Sequence, residues 1–382
     1  MISPQAAQDR EKISRQILGK GGDFPAYFKF YDDLARRNND YHLTVSTSPC
    51  PLPVTNIDVL RAAKVITSNL SKTKKETEGQ LRKDITSSSD SPDSRYHGNE
   101  PAAIGMAVEA MFMIDPAAKE RHASDFRLGQ HYRPSSWLPD ETLASFVERI
   151  FPPSLVGSQE AVAAAAAAME QGQHGALRAR KLQKRLGARF RPTNNLAEHL
   201  LFDEQRNYLY IFHHVGFLKT QLARYEGGAV EALENIGLRE SLEAGTLPPQ
   251  LLVETLYSLQ GVLFPSVDPA SAQILDELID KWRFDPECAE YDGMPQRSSN
   301  FRFIYWGERM AHLHQLMTRR PPRNKLERWF HSHSTEGNAL LIALVALAIS
   351  IVIGVVSIGL NIVQIWLTWM AWKYPSASSG GS

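Results

Sequence analysis

An uncharged run near the C-terminus constrains the fold of this chain more than any other feature. It extends from Gly337 to Trp372 and holds 36 residues with no Asp, Glu, Lys or Arg. One membrane-spanning helix needs about 20 residues and two need about 40 plus a turn, so the run predicts a single crossing. As a helix, Ala339 to Leu360 would cover about 33 Å, which matches the hydrocarbon core of a bilayer. A buried core helix is the alternative, which the length of the run disfavours.

Charges on either side of this run predict its orientation. A basic segment precedes it, with Arg319, Arg320, Arg323, Lys325 and Arg328 against the single acid Glu327, and only Lys373 follows it. Basic residues stay on the cytosolic side of a membrane, so we expect a cytosolic N-terminal part and a short non-cytosolic tail, 373–382. The first residues contain no apolar signal sequence, so insertion after synthesis is expected, as in tail-anchored proteins. The organelle stays open, and Trp366, Trp369 and Trp372 are typical of a membrane interface.

A stripe of small and polar residues, here called the seam, follows one side of the predicted membrane helix. Its members are Ala343, Ala346, Ser350, Gly354, Ser357, Asn361, Gln364, Thr368 and Ala371. Eight steps cover 28 residues, and a mean step of about 3.5 keeps them on one side of a slightly supercoiled helix. Small residues let membrane helices approach closely, and amides hydrogen-bond across the contact, so we expect self-association. Alternatively, Asn361 and Gln364 lie at the headgroup level and contact water.

The composition and the motifs disfavour several classes of function. The 42 basic residues balance the 42 acidic ones, so no net field attracts nucleic acid. Cys50 and Cys288 lack a metal or redox spacing, which argues against a disulfide-stapled secreted domain. The sequence contains no Walker loop, H-E-x-x-H, G-x-S-x-G elbow or G-x-G-x-x-G after a strand. No catalytic residue is therefore predicted and any cofactor stays unknown, since a site can assemble from distant residues.

The rest of the sequence predicts a mainly α fold with one small β-hairpin. Residues 1–99 are expected to be loosely structured and to end in a charged, Ser/Asp/Pro-rich linker. Residues 101–320 carry repeated amphipathic helical patterns and are expected to form the globular domain. The hairpin is predicted where the polar DEQRN precedes the β-forming Tyr208–Phe212. A basic juxtamembrane segment, 321–336, then leads into the membrane helix and its interfacial end, 337–372.

One polar constellation could bind a divalent metal or act in acid–base chemistry. Its members are His199, Asp203, Glu204, His213 and His214. A helix capped by Asn195 would place His199 and Asp203 four residues apart on one face. Imidazoles and carboxylates together are ligands for zinc or iron, but such spacing is common, so no metal is assigned. The alternative is structural, with His213 and His214 alternating across a strand, one buried and one exposed.

A basic patch lies in the segment ARKLQKRLGARFR and the residue before it. It comprises Arg178, Arg180, Lys181, Lys184, Arg185, Arg189 and Arg191, with no acid between them. Anionic lipid headgroups or an acidic partner are the functional interpretations. A solvated helix face with partners elsewhere in the fold, for instance in 231–243, is the simpler one. Nucleic acid ranks last, because no aromatic residues interleave the charges for base stacking.

Three blocks resemble a large group of uncharacterised fungal single-pass membrane proteins. They are NNLAEHLLFDEQRNYLYIFHHVGFLKTQL, FRFIYWGERMAHLHQL and the stretch from LERWF to MAWKYP. The group carries no established activity, so the resemblance implies a C-terminal anchor and brings no catalytic residue. Some members lie near secondary-metabolite genes, which implies an accessory role.

Two functions are compatible with these patterns. The first is a C-terminally anchored membrane protein that self-associates through its membrane helix and whose cytosolic helical domain binds or scaffolds a protein partner. The second is a membrane-tethered enzyme or accessory factor acting on a lipophilic secondary metabolite, with the region from His199 to His214 lining its pocket. A deep pocket bordered by these histidines would favour the second function, and a closed surface would favour the first.

Overall fold

The structure is a computed structural model that describes most of the chain. The described residues are 4–45, 53–88, 99–121, 132–153, 177–225, 236–293, 301–319 and 339–373. They belong to two compact units, Met1–Arg319 and Arg320–Ser382.

The first unit is built from helices, and its described residues form thirteen α-helices. They are α1 (Pro4–Ile13), α2 (Pro25–Val45), α3 (Asn56–Ser68), α4 (Lys74–Ser88), α5 (Glu100–Phe112), α6 (Ala118–Arg121), α7 (Leu143–Ile150), α8 (Ala179–Leu186), α9 (Val215–Leu222), α10 (Leu238–Glu243), α11 (Pro249–Leu256), α12 (Pro269–Trp282) and α13 (Gly307–Arg319). Two π-helical segments, Ser14–Leu18 and Tyr257–Leu263, continue α1 and α11. The predicted mainly α fold is confirmed.

A three-stranded sheet supplements the helices. Its strands are β1 (Arg189–Thr193), β2 (Phe202–Asp203) and β3 (Tyr208–Phe212), in the order β1-β3-β2. The antiparallel β2–β3 pair is the predicted hairpin, which is confirmed. Strand β1 pairs with β3 in parallel and was not predicted. Three of its five residues are Arg or Pro, a composition that does not indicate a strand.

The N-terminal region is more ordered than its sequence predicts. The expectation of a loosely structured segment is wrong for the described residues before 89, since α1 to α4 contribute buried side chains to the same core as the rest of the unit. Tyr27 donates a hydrogen bond from its hydroxyl to the carbonyl of Ala110, 2.9 Å away on α5. In α4, which was assigned to the linker, Leu81 is buried beneath a charged exterior. One apolar residue per two turns is too weak a pattern to reveal a packed helix. The predicted Ser/Asp/Pro-rich part of the linker, 89–98, lies outside the described residues.

The segment that precedes β2 differs from the predicted helix. Asn195 does act as a cap, accepting a hydrogen bond from the Ala197 N–H at 3.1 Å. However, only one 3-10 turn follows, Leu196–Glu198, and Glu198 accepts a hydrogen bond from the Thr193 hydroxyl at 2.6 Å. The local cap signal is real, but tertiary packing ends the helix after one turn.

The second unit contains one long apolar helix, α14 (Ala339–Lys373), of 35 residues. Its window from Ser350 to Met370 has a mean hydropathy of 2.0 and is not buried within the chain. It is the one helix among the described residues that is long and apolar enough to cross a membrane. The predicted single apolar C-terminal helix is therefore confirmed. The juxtamembrane segment 321–336 and the tail after Lys373 lie outside the described residues.

Candidate functional site

His199 lies at the centre of a buried polar cluster, where both of its ring nitrogens have partners. The main-chain N–H of Phe212 donates to Nδ1 at 3.1 Å, and Nε2 lies 2.6 Å from Oγ of Ser258. Burial lowers the pKa of the imidazole to about 3, so the ring is neutral. Because Nδ1 accepts a hydrogen bond, the single ring proton belongs on Nε2, which donates to Ser258.

The His199–Ser258 pair resembles two members of a catalytic triad, but its protons have the wrong arrangement. The Ser258 hydroxyl donates to the carbonyl of Thr255 at 2.7 Å, so its oxygen accepts from the imidazole. A general base must instead accept the proton of its nucleophile. The pair therefore fastens β3 to the π-helical segment that carries Ser258, and it does not activate the serine.

Glu254 anchors the chain segment just before α13. Its carboxylate is buried and accepts hydrogen bonds from the main-chain N–H groups of Ile304 (2.6 Å), Tyr305 (2.9 Å) and Trp306 (2.9 Å). Gln250 adds a fourth at 2.9 Å. Burial raises the pKa of this carboxyl to about 7, while the four hydrogen bonds act in the opposite direction. Three successive main-chain N–H groups of the segment leading into α13 are thus bonded to one carboxylate.

Trp306 and Arg309 link the segment that Glu254 holds to His199. The indole Nε1 of Trp306 donates to the hydroxyl of Thr255 at 2.8 Å, and its ring meets the His199 ring edge-on at 5.2 Å. Arg309 donates to the carbonyls of Ala197 (2.8 Å) and His199 (2.5 Å). Burial lowers the pKa of this guanidinium to about 10. The cluster therefore joins the 3-10 turn, α11 and α13.

His213 and His214 follow β3 at the start of α9, and their side-chain partners differ from those of His199. Nδ1 of His213 accepts from the Asp285 N–H at 3.0 Å, and Nε2 of His214 lies 2.8 Å from Oδ1 of Asn194. Their rings stack with centroids 4.2 Å apart. Burial lowers the pKa of His213 to about 3 and holds that of His214 well below its usual range. Both side chains are buried, so the expectation of one buried and one exposed histidine is wrong.

The predicted metal constellation does not come together. Asp203 lies in β2 rather than on a helix with His199, so the shared helix face is wrong. Its Oδ1 accepts the N–H groups of Gln205 and Arg206 and shapes the hairpin turn. Glu204 lies 3.8 Å from the imidazole of His312. Among the residues that the structure describes, no three His, Cys, Asp or Glu side chains are arranged to hold a metal ion.

The basic patch divides into a structural part and an exposed part. Arg178 lies 3.8 Å from Asp268. The guanidinium of Arg191 lies 4.0 Å from the ring of Trp282 and 4.5 Å from that of Tyr208. These partners are outside 231–243, the region where the sequence suggested them. The other members of the patch are exposed: Arg180, Lys181, Lys184 and Arg185 on α8, and Arg189 on β1.

The described part of the seam is open to its surroundings along α14. Ser350, Ser357, Asn361, Gln364 and Thr368 are exposed, and Gly354 is partly so. A Cβ atom added at Gly354 would meet nothing within 4 Å. The side chains of the remaining seam members, Ala343, Ala346 and Ala371, lie outside the described residues. The seam thus offers small and polar groups with room for a neighbouring helix.

Sequence reasoning missed Glu254, Ser258 and Arg309, which organise the buried cluster. One signal was present: PPQLLVETLYSLQ places Gln250 and Glu254 four apart within an otherwise apolar run. A carboxylate in such a run requires buried hydrogen-bond donors. The sequence did not reveal that those donors are main-chain groups about fifty residues away. No protein-family model, curated protein or solved structure matches this chain.

Proposed function

We propose that this chain is a C-terminally anchored single-pass membrane protein with its first unit in the cytosol and a short tail on the other side. The observation that carries the proposal is the Ser350–Met370 window of α14, which is apolar and unburied. A soluble core helix of this hydropathy would be covered by its own chain. A signal sequence would lie near the N-terminus. Membrane lipid is therefore the environment that fits the exposed side chains of α14.

The proposed anchor also pairs the chain with a second copy of itself. Exposed Asn361 and Gln364 would each leave polar atoms in hydrocarbon, at a cost of several kcal/mol on transfer scales. A second α14 that packs along the same seam would supply hydrogen-bond partners and a close backbone approach. In such a dimer the seam of one copy packs against the seam of the other, as two-fold symmetry requires.

The first unit serves as a binding or scaffolding domain for a cytosolic protein partner. Its most distinctive polar residues, His199, His213 and Glu254, are buried and bonded to the main chain of their own unit. Those contacts give them structural roles, so we assign the function of this unit to its surface. The alternative enzyme would need these histidines to line a substrate pocket, and their enclosed rings do not favour it.

The anchoring and the orientation can be tested on the full-length protein in native membranes. We expect alkaline carbonate to leave the protein in the membrane pellet and to release the variant Val356→Arg/Ile358→Arg. Each arginine near the centre of a spanning helix opposes insertion by about 3 kcal/mol. The matched control is Val356→Leu/Ile358→Leu, which should remain in the pellet. Carbonate release of the wild-type protein would contradict the proposal.

Protease protection in sealed vesicles then tests the orientation. A C-terminal epitope tag should be protected while the first unit is digested, and Asn69 in its Asn-Leu-Ser sequon should carry no glycan. A glycan on Asn69, or digestion of the tag with protection of the first unit, would reverse the assigned orientation.

A further inference from the structure

The exposed basic residues of α8 and β1 form one charged surface, here called the basic face: Arg180, Lys181, Lys184, Arg185 and Arg189. On the opposite side of α8, Ala179, Leu182 and Leu186 are buried in the core. The helix is therefore fixed, with its cationic side turned outward. A fixed helix presents its charges without the ordering cost that a flexible basic segment incurs on binding.

The basic face carries five exposed cationic side chains although the whole chain is neutral. The sequence from 171 to 197 contains no Asp or Glu. On the neighbouring helix α12, Asp276 and Asp280 are exposed. Two further acidic residues, on α12 and its N-terminal cap, have basic partners outside the basic face. Asp268 lies 3.8 Å from Arg178, and Glu277 lies 3.3 Å from Lys281. Local charge of one sign concentrates anions at such a surface.

An aromatic group lies beside the charges. Trp282, the last residue of α12, remains 45% exposed while Arg191 of β1 stacks on its ring. Tryptophan prefers the headgroup region of a bilayer, where its ring is half in apolar surroundings and its N–H remains hydrated. Lysines and arginines next to an exposed tryptophan are typical of surfaces that contact anionic membranes.

We propose that the basic face binds the anionic phospholipid headgroups of the bilayer in which the chain is anchored. The inference rests on the proposed function in one respect, because α14 keeps the first unit close to that bilayer. Only 19 residues separate Arg319 from Ala339, so even weak contacts become populated at the high effective concentration of tethered lipid. Nucleic acid fits less well, since no aromatic residues interleave the basic residues of α8 for base stacking.

Amine footprinting of the full-length protein in lipid nanodiscs tests the proposal. An acetylating reagent and mass spectrometry report the accessibility of Lys181 and Lys184. Phosphatidylserine-containing discs should slow their acetylation relative to pure phosphatidylcholine discs. The exposed Lys64, Lys75 and Lys83 on α3 and α4 serve as an internal control and should react equally in both. High salt should remove the difference in acetylation between the two kinds of disc, because at 1 M it shortens the electrostatic screening length to about 3 Å.

A pair of variants separates the basic face from general charge effects. Arg180→Glu/Arg185→Glu keeps both reporter lysines and should abolish their protection, since each basic residue near an anionic surface contributes about fivefold to association. Lys64→Glu/Lys75→Glu changes the net charge by the same amount and should preserve the protection of Lys181 and Lys184. If the arginine variant does not fold, the salt series on the wild-type protein still tests the proposal.

Three results would overturn the inference. One is equal acetylation of Lys181 and Lys184 in anionic and neutral discs. Another is protection that survives high salt. The third is protection by a short single-stranded oligonucleotide on neutral discs without any protection by phosphatidylserine, which would assign the face to nucleic acid. Failure of the membrane anchor would look different, because the protein would then not co-purify with discs of either composition.

Discussion

Polar residues follow opposite rules in the two units of this protein. In the first unit, His199 and Glu254 are buried and take their hydrogen bonds from the main chain of the same unit. In α14, Asn361 and Gln364 are exposed among apolar neighbours. A buried polar group without a partner costs about 1–3 kcal/mol. His199 and Glu254 avoid this cost within their own unit. In a bilayer, Asn361 and Gln364 would need partners from outside α14.

This difference separates residues that maintain the fold from residues that are available for function. Substitutions in the buried cluster should lower the stability of the first unit. Substitutions along the seam should change association and leave the fold of the first unit intact. Substitutions in both units can test this separation.

Replacing Glu254 with Ala should cause the largest loss of stability. The main-chain N–H groups of Ile304, Tyr305 and Trp306 would lose their acceptor inside the protein. We expect the free energy of unfolding to fall by about 3–5 kcal/mol. Chemical denaturation of the full chain in detergent, followed by circular dichroism, measures this. Glu277→Ala, which removes the exposed pair with Lys281, is the matched control and should cost less than about 1 kcal/mol. Equal midpoints for the two variants would show that the Glu254 contacts do not stabilise the unit.

Replacing His199 with Ala should have the next largest effect. The variant leaves the Phe212 N–H without its acceptor and creates a cavity beside Trp306, so we expect a loss of about 2–4 kcal/mol. The same denaturation experiment measures it. His312→Ala, at a half-buried position on α13, is the control and should shift the midpoint by less than half as much. A small effect at His199 would contradict the structural role and reopen a functional one.

The buried histidines should also make stability depend on pH. Burial depresses the pKa of His214 in the folded state below its usual 6.5, so the unfolded chain binds more protons at acidic pH. The stability from this residue is therefore present above pH 6.5 and is lost as the pH falls below it. Each such histidine adds a slope of about 1.4 kcal/mol per pH unit.

His214→Phe should reduce the slope of the free energy of unfolding against pH by the contribution of one histidine. The variant keeps an aromatic ring against Phe30 and Phe212. Urea midpoints between pH 4.5 and 6.5 measure the change. Glu254→Gln is a control whose effect on the pH dependence of stability has the opposite sign. The folded-state pKa of Glu254 is raised to about 7 from 4.5, so its contribution is lost as the pH rises. A His214→Phe slope identical to that of the wild-type protein would contradict the depressed pKa.

The smallest expected effect is on self-association through the seam. Gly354→Ile should weaken dimerisation by about 1–2 kcal/mol, because the added side chain prevents close helix approach. Gly359→Ile is a matched control, since it makes the same change off the seam. An added Cβ meets nothing within 4 Å at either position, so neither variant strains the isolated helix. Förster transfer between labelled copies in detergent micelles measures the difference.

The variant Gly354→Ile/Asn361→Leu should weaken the dimer further, because it also removes a hydrogen-bonding amide. An unchanged oligomeric state in detergent would eliminate the seam as an association surface. Equal effects of Gly354→Ile and Gly359→Ile would show that the contact has no preferred face.

The sequence predicted those features that depend on neighbours along the chain. The turn Asp203–Asn207 before β3 predicted the hairpin, and the amphipathic spacing of α12 and α13 predicted helices. It did not predict β1, whose arginines conceal a strand that pairs with β3 in parallel. It also missed the packing of α4, where Leu81 and the partly buried Ile85 are the apolar residues that contact the core.

By itself, the sequence determined the single apolar helix and the mainly α architecture. Both follow from local quantities, namely the length of an uncharged run and the period of apolar residues. Only the tertiary structure decided what the polar residues do. Glu254 finds its donors 50 to 52 residues away and His213 finds Asp285 72 residues away. A buried polar group must bond to whatever the fold brings beside it, and spacing along the chain does not encode that partner.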